Sequence, residues 1–456
     1  MKLILHKGNT GVFPRYIPIL IFLFFLHCED VKIEWKIEYE PAGPGIYIIN
    51  DLDGFENFFT VGMYEKKNQN PVGIIAKYNP QGKLKWFKLF EDRNFRMSEG
   101  QRILVTKENF LHNEEMAYLL VSGFDTSNKH YLRLVKYDSL GNTQWGKFVR
   151  ESTSEISGAI IKDYSDNIWI GSWNRNSASS DTIFINKYSS SGTSILAKKC
   201  PLKNFHVDNL KFATTKSNEL IAGGVCKVCH DFFFILFDSL GELNRLVKYE
   251  SPSVESSLSD LKIDNQGDIY LTGIGWQEKS GNDWITIVYD KSGHLLWSQT
   301  YDGEKHGNDV PRAMIIDESL SVYITGCTET DSGVNSILTV KYDRYGDLIW
   351  SRKFSGDNNM SIEPHFFEAD FFCLKKEDLL DFLYIIGLMN NKIYLLKYDR
   401  YGNLIQRGRY NLRALENTLQ AQIGPLIAFQ SKDANRSRTY LLKFGRFQLL
   451  GISRWD

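Results

Sequence analysis

The sequence predicts an all-β protein, an eight-bladed β-propeller with four antiparallel strands per blade, behind an N-terminal signal segment. Three observations carry that expectation. A hairpin recurs about every fifty residues, a second strand type recurs in step with it, and an apolar leader is confined to residues 1–28.

The hairpin is first met as Lys77-Tyr78-Asn79-Pro80-Gln81-Gly82 followed by Trp86. It returns as Lys136-Tyr137-Asp138-Ser139-Leu140-Gly141 with Trp145, Tyr289-Asp290-Lys291-Ser292-Gly293 with Trp297, and Lys341-Tyr342-Asp343-Arg344-Tyr345-Gly346 with Trp350. Weaker copies place Gly192, Gly241 and Gly402, so the turn glycines stand 49 to 59 residues apart. A period of that size marks an array of similar supersecondary units. Asp suits the first position of a type I turn because its carboxylate accepts from nearby backbone N–H groups, and Gly suits the last, where φ turns positive. The flanks 337–342 and 347–354 alternate polar and apolar, as half-buried antiparallel partners do.

Two further strands complete each unit, as in residues 260–267 and 268–273. Second strands fall near Phe59, Leu120, Trp169, Ile221, Tyr270, Tyr323, Tyr384 and Ile427, which makes eight units. A glycine ends the second strand at 62, 123, 224, 273, 326 and 387, with Ser172 and Gln430 in the other two units, and a small residue there suggests close backbone approach where blades crowd toward an axis. In the degraded eighth unit, residues 440–444 read as the third strand and 448–455 as the last. A spare strand at 34–39, ahead of any complete unit, is able to pair into the final blade and remove the free sheet edges. Seven blades is the alternative, if the first or last unit is cannibalised.

Trp86, Trp145, Trp297 and Trp350 are expected to pack between blades, because a ligand platform need not recur at one strand position whereas a packing residue should. Burying an indole removes roughly 150–250 Å² from water, an upper estimate of about 4–6 kcal/mol each. Leu196, Arg245 and Gln406 occupy the same position elsewhere, in blades expected to be looser.

Residues 1–28 read as a targeting segment, with Lys2, Lys7 and Arg15 as its basic flank and residues 17–26 as an apolar stretch too short to span a bilayer. The propeller domain is expected over 31–456. The segment ends Phe25-Leu26-His27-Cys28, which resembles a relaxed bacterial lipobox, with His27 where a small residue is usual. That resemblance implies lipid attachment at Cys28 and a membrane-anchored exported lipoprotein, facing the periplasm or the cell surface. An ordinary secretory signal and a retained helix are the alternatives. Residues 29–32 would leave only a short tether.

A net charge of −1 with 24% charged residues argues against a nucleic-acid partner, which would want a basic face. Cys226-Lys227-Val228-Cys229-His230 matches the haem-attachment pattern but lies at a strand end rather than on a helix, which leaves a local disulfide, a thiol pair or adventitious metal binding. Cys200, Cys327 and Cys373 read as isolated packing residues, and no second C-x-x-C exists to complete a four-cysteine zinc site.

The runs at 263–273 and 287–297 resemble the bacterial β-propeller repeats of the SBBP and NHL-like kind, and the likeness covers residues 31–456. It implies an exported scaffold rather than a reaction. The Asp-x-x-Gly-x-x-x-Trp hairpin also resembles the tryptophan-docking repeat of quinoprotein dehydrogenases, with one residue fewer between Asp and Gly. Their vicinal cysteines and calcium ligands are not recognisable. The bacterial sialidase Asp-box has a different spacing. Anchoring, blade number and Trp hairpins are similar to the propeller lipoprotein of the outer-membrane β-barrel assembly machine, at the level of architecture.

The turns between third and fourth strands are short and uniform, whereas the second-to-third loops and the exits of the fourth strands vary. Both variable sets emerge on one face, where recognition is expected. That face is expected to carry Trp173, Arg175, Trp276, Trp284, His306 and Asp309 as partner-binding residues, with Asp302 and Glu304 nearby. The acidic group around His306 has cation-binding chemistry but no fixed ligand spacing, so no metal and no cofactor are assigned. The expected function is a non-catalytic cell-envelope scaffold binding a protein or glycan. The alternative is a quinoprotein-like or hydrolytic enzyme using the axial channel.

Overall fold

The computed structural model describes residues 29–30, 33–43, 46–55, 57–66, 69–90, 96–108, 114–152, 157–174, 181–202, 206–251, 253–329, 335–356, 372–374, 382–389, 392–411, 416–423, 426–433 and 436–444. Cys28 with the rest of the leader, Arg175 and residues 448–455 lie outside these. Among the described residues there are strands and turns and no helix, hence no helix long and apolar enough to cross a membrane.

The strands form sheets of four antiparallel strands that follow one another along the chain, one of them extended by a short fifth, parallel strand, the arrangement of a β-propeller. Sheets 1 to 4 take up residues 46–90, 97–152, 157–201 and 207–249. Sheet 5 is Glu255–Ile263, Ile269–Gln277, Gly281–Tyr289 and Leu295–Tyr301, and sheet 6 is Asp309–Ile316, Val322–Glu329, Asn335–Tyr342 and Leu348–Phe354. Sheet 7 begins with Phe372–Leu374 and ends with Leu404–Asn411. Inner strands of consecutive sheets pack on one another from sheet 1 through sheet 7, and Glu416–Ile423 of the eighth sheet packs on Ile46–Gly54 of the first.

Burial follows strand position. The second and third strands of sheet 4, Leu220–Cys226 and Phe232–Phe237, are buried on both faces and read as unbroken small and apolar runs, whereas the outer strand Leu243–Tyr249 is largely exposed. The cores lie between sheets: Phe59, Val61 and Ile75 meet Ile103, Leu119 and Val135 at one boundary. Tyr270, Trp284 and Val288 meet Met314, Ile324 and Val340 at another.

Each hairpin behaves as its residues dictate. Asp343 Oδ1 accepts from Tyr345 N and Asp347 N at 2.8 and 2.9 Å, and Gly346 has φ +89°. The indoles then cross to the next sheet. Trp86, Trp145, Trp297 and Trp350 donate through Nε1 to the carbonyls of Ser139, Ser190, Arg344 and Arg400 at 3.1–3.2 Å, each in the following hairpin turn. At the boundaries lacking a tryptophan, Leu196 covers Gly241, and Arg245 with Val247 covers Gly293.

The structure corrects three expectations. The close approach at Gly62, Gly273 and Gly326 is to the same sheet's inner strand, which bulges opposite them; a Cβ there would lie 1.9–2.1 Å from the carbonyl oxygens of Ile48, Ser257 and Val310. Register therefore places Val121 and Phe429, not Gly123 and Gln430, at the matching position. The edge of Arg436–Phe444, assigned from sequence to residues 448–455, is taken by the N-terminal strand Ile33–Glu38. Finally, Glu29–Asp30, expected as tether, pair in parallel with Gly408 and Arg409 of sheet 7.

Candidate functional site

The boundary between sheets 5 and 6, on the variable-loop face, gathers most of the expected residues. The second and third strands of sheet 5 run almost to the tip of their hairpin, where Gln277 pairs with Gly281, whose φ of +71° permits the tight return. This extension decides the fate of the tryptophans. Trp276 lies near the tip and keeps 37% of its surface exposed. Trp284 is set deeper and is only 1% exposed; its ring packs against Tyr301 at 5.9 Å and lies over Gly326. Trp284 is therefore a packing residue, not a surface one. Trp173 is half-buried beside Phe212, with ring centroids 6.2 Å apart.

The connection from sheet 5 to sheet 6 is a compact turn. His306 N donates to Gly303 O at 3.0 Å, and His306 itself adopts φ 50°. His306 Nδ1 meets Asp302 Oδ2 at 2.5 Å while the ring stays exposed. Asn308 binds three segments together: its Oδ1 accepts from Asn282 Nδ2 at 3.1 Å, and its N–H donates to Glu329 Oε2 at 3.0 Å.

Beneath this turn lie three carboxylates, Asp283, Asp302 and Asp309, with one oxygen of each within 4.8 Å of the others. Asp283 and Asp309 are 2% and 1% exposed, so Asp309 is not a surface contact either. Asp283 Oδ2 accepts from Ser280 Oγ at 2.7 Å, and Asp309 Oδ2 accepts from Gly303 N at 2.6 Å. Burial pushes both carboxyls above the usual carboxylate range, and the neighbouring Asp302 charge adds to this. Glu304, expected in this group, instead faces Lys353 at 3.6 Å. Asp283 was missed from sequence because it belongs to a different strand about twenty residues earlier; only the strand register brings it to Asp302.

Cys226 and Cys229 are joined in a disulfide, so neither thiol is available to haem or metal. Its loop is stitched by His230 N to Cys226 O at 2.7 Å. Charge also accumulates on the inner strands. Burial pushes the carboxyls of Asp51 and Asp53 up to about 6, and burial holds the Lys211 ammonium below its ordinary value, with nearby Asp260 opposing.

No protein-family model matches the chain, and no curated protein matches it in sequence. Among solved structures it is similar to the polysaccharide lyase Uly1, with 11% identity, TM-score 0.44, and 90% of this chain and 91% of that one covered. It is also similar to the Vanderwaltozyma polyspora Nup133 β-propeller domain, with 12% identity, TM-score 0.45, and 75% and 100% covered. A Synechocystis apocarotenoid oxygenase mutant gives 10% identity, TM-score 0.43, and 86% and 98% covered. Likeness at that level transfers neither activity nor ligand.

Proposed function

We propose that the chain is an exported, lipid-anchored, eight-bladed propeller that binds a cell-envelope protein or glycan through its variable-loop face, without catalysis. The observation that supports this best is Trp276. It is a large aromatic left 37% exposed at a hairpin tip braced by the Asn282–Asn308–Glu329 hydrogen bonds. An indole held at a rigid tip contributes contact area with little loss of freedom on binding. On the opposite face, the turns carrying Ser139, Ser190, Arg344 and Arg400 already hold indoles of neighbouring sheets through their carbonyls.

Binding is tested with the purified chain on immobilised envelope polysaccharides and by cross-linking in intact envelopes. Trp276→Ala should lower retention at least ~tenfold, the loss of one buried anchor. Equal retention by the variant removes this face from the proposal. Anchoring is tested separately: Cys28→Ala should abolish labelling by a radioactive fatty acid and release the protein from the membrane fraction.

A further inference from the structure

We propose that Asp283, Asp302 and Asp309 form a calcium site that pins sheet 5 to sheet 6. The three carboxylates come from separate segments: the start of a third strand, the exit of an outer strand, and the first residue of the next inner strand. One oxygen of each lies within 4.8 Å of the others. Oxygens sharing one calcium at about 2.3–2.6 Å stand no more than about 5 Å apart, so this spacing accommodates a single ion.

The second observation is Asp283 Oδ1. The residue is 2% exposed and this oxygen receives no hydrogen bond. A buried carboxylate oxygen with no donor is costly unless a positive group answers it. The neighbouring oxygens are already engaged, Asp283 Oδ2 by Ser280, Asp309 Oδ2 by Gly303 N and Asp302 Oδ2 by His306. The absence of a side chain at Gly303 permits this closure, since a Cβ would stand 2.8 Å from Thr328 Oγ1 and 2.9 Å from Asp309 Oδ2. An oxygen set drawn from three segments, two of its carboxylates buried and the third partly so, suits calcium. Magnesium demands regular octahedral geometry and keeps much of its water, and zinc prefers nitrogen and sulfur. The site stands independently of whether Trp276 binds a partner.

The full chain, stripped with EDTA and desalted, is titrated with calcium chloride alone by isothermal calorimetry, and its melting temperature is compared in calcium and in EDTA. One saturable site is expected, with Kd in the range of about 10 μM to 1 mM. Excess calcium should raise the melting temperature by ~2 °C or more. Asp302→Asn, at the least buried of the three, should weaken binding at least ~tenfold with an unchanged far-UV spectrum, because ligand charge sets affinity. Asp283→Asn should abolish the calcium response; if it fails to fold, Asp302→Asn decides alone. No saturable calcium binding by the natural chain, magnesium binding as tightly as calcium, or natural affinity in Asp302→Asn would overturn the site.

Discussion

Lys77 and Trp86 are paired across the third and outer strands of sheet 1, and both donate to one oxygen, the carbonyl of Ser139 in the next sheet. The Lys77 ammonium does so at 3.2 Å and the Trp86 indole at 3.1 Å. Lys136 with Trp145 repeats this on Ser190 O, and Lys341 with Trp350 on Arg400 O. The Lys-Tyr-Asp run is thus a boundary device. Lys77 and Lys136 are buried over their own sheets' aromatics, 4.9 Å from the Phe59 centroid and 5.1 Å from that of Tyr118, and reach into the following turn.

Lys77 also faces Glu115 at 3.3 Å, with both side chains nearly buried. Lys77→Met should therefore destabilise by ~3–5 kcal/mol, mostly because the buried Glu115 carboxylate, still held by Asn57 N and Nδ2, loses the ammonium that faces it. Lys77→Met with Glu115→Gln should recover part of that loss. Denaturant unfolding of the two variants measures it; a double variant no more stable than the single would show that the ion pair is not what Lys77 supplies.

Trp350 and Gly402 form another such contact. The indole is 6% exposed, Gly402 has φ +79°, and a Cβ there would stand 2.7 Å from the ring. Trp350→Ala should cost ~3–5 kcal/mol. Gly402→Ala should cost more than the ~1 kcal/mol typical of backbone strain alone, since it also displaces the ring. In the Trp350→Ala background the collision disappears and Gly402→Ala should fall back toward that strain cost. A double-mutant cycle reads the coupling, and additive effects would contradict the contact.

Much of this architecture was legible in sequence because its determinants are local. The Asp-x-x-Gly turns, the eight second strands and the spare strand at the N-terminus all signal through period, turn chemistry and alternation within a few residues. What escaped depended on register. The bulges opposite Gly62, Gly273 and Gly326 shift pairing by one residue, and their one compositional trace, the glycine, is lost where Val121 and Phe429 take the same position. Trp284 looked like a loop residue because the strands of sheet 5 extend further toward their tip than a uniform repeat suggests. Asp283 joined the acidic group only through that same extension. The lysine before the tyrosine was visible in three of the four clear copies, Val288 standing there in the fourth, yet a lysine ending a strand reads as solvated until its neighbours across the sheet boundary are known.

The titrating groups set opposite pH slopes. Asp51 and Asp53 have carboxyls pushed up to about 6 by burial, so the native state binds protons that the unfolded chain has already released. Their contribution is fully present below the unfolded value of about 3.9 and is lost as pH rises through about 6. Asp283 and Asp309 are shifted in the same direction. Asp163 is the reverse: burial alone would raise it, but the Lys187 ammonium at 2.9 Å and the Asn167 N–H outweigh this and hold it low. Its contribution is present above the unfolded value and lost as pH falls through its own depressed one. In EDTA, the melting temperature should therefore rise from about pH 7.5 to about pH 5 and fall again below about pH 4. Asp51→Asn with Asp53→Asn should flatten the rise. A monotonic fall on acidification would show that these carboxyls are not perturbed as their surroundings imply.

The N-terminal strand offers the sharpest test of how the array is finished. Ile33–Glu38 pairs antiparallel with Tyr440–Phe444 as the outer strand of the last sheet, while Glu29–Asp30 pairs with sheet 7. Residues from the start of the chain thus join its last two sheets and cover an edge that would otherwise present unpaired N–H and C=O groups. A chain starting at residue 40 loses both pairings. It should melt at lower temperature and elute as dimers or larger species, because the bare strand Arg436–Phe444 is a template for a second copy. Adding back a synthetic peptide spanning residues 29–39 should restore the monomer, since that strand is held by ladder hydrogen bonds rather than by covalent continuity. A truncated chain that stays monomeric with an unchanged melting temperature would mean that another segment covers this edge.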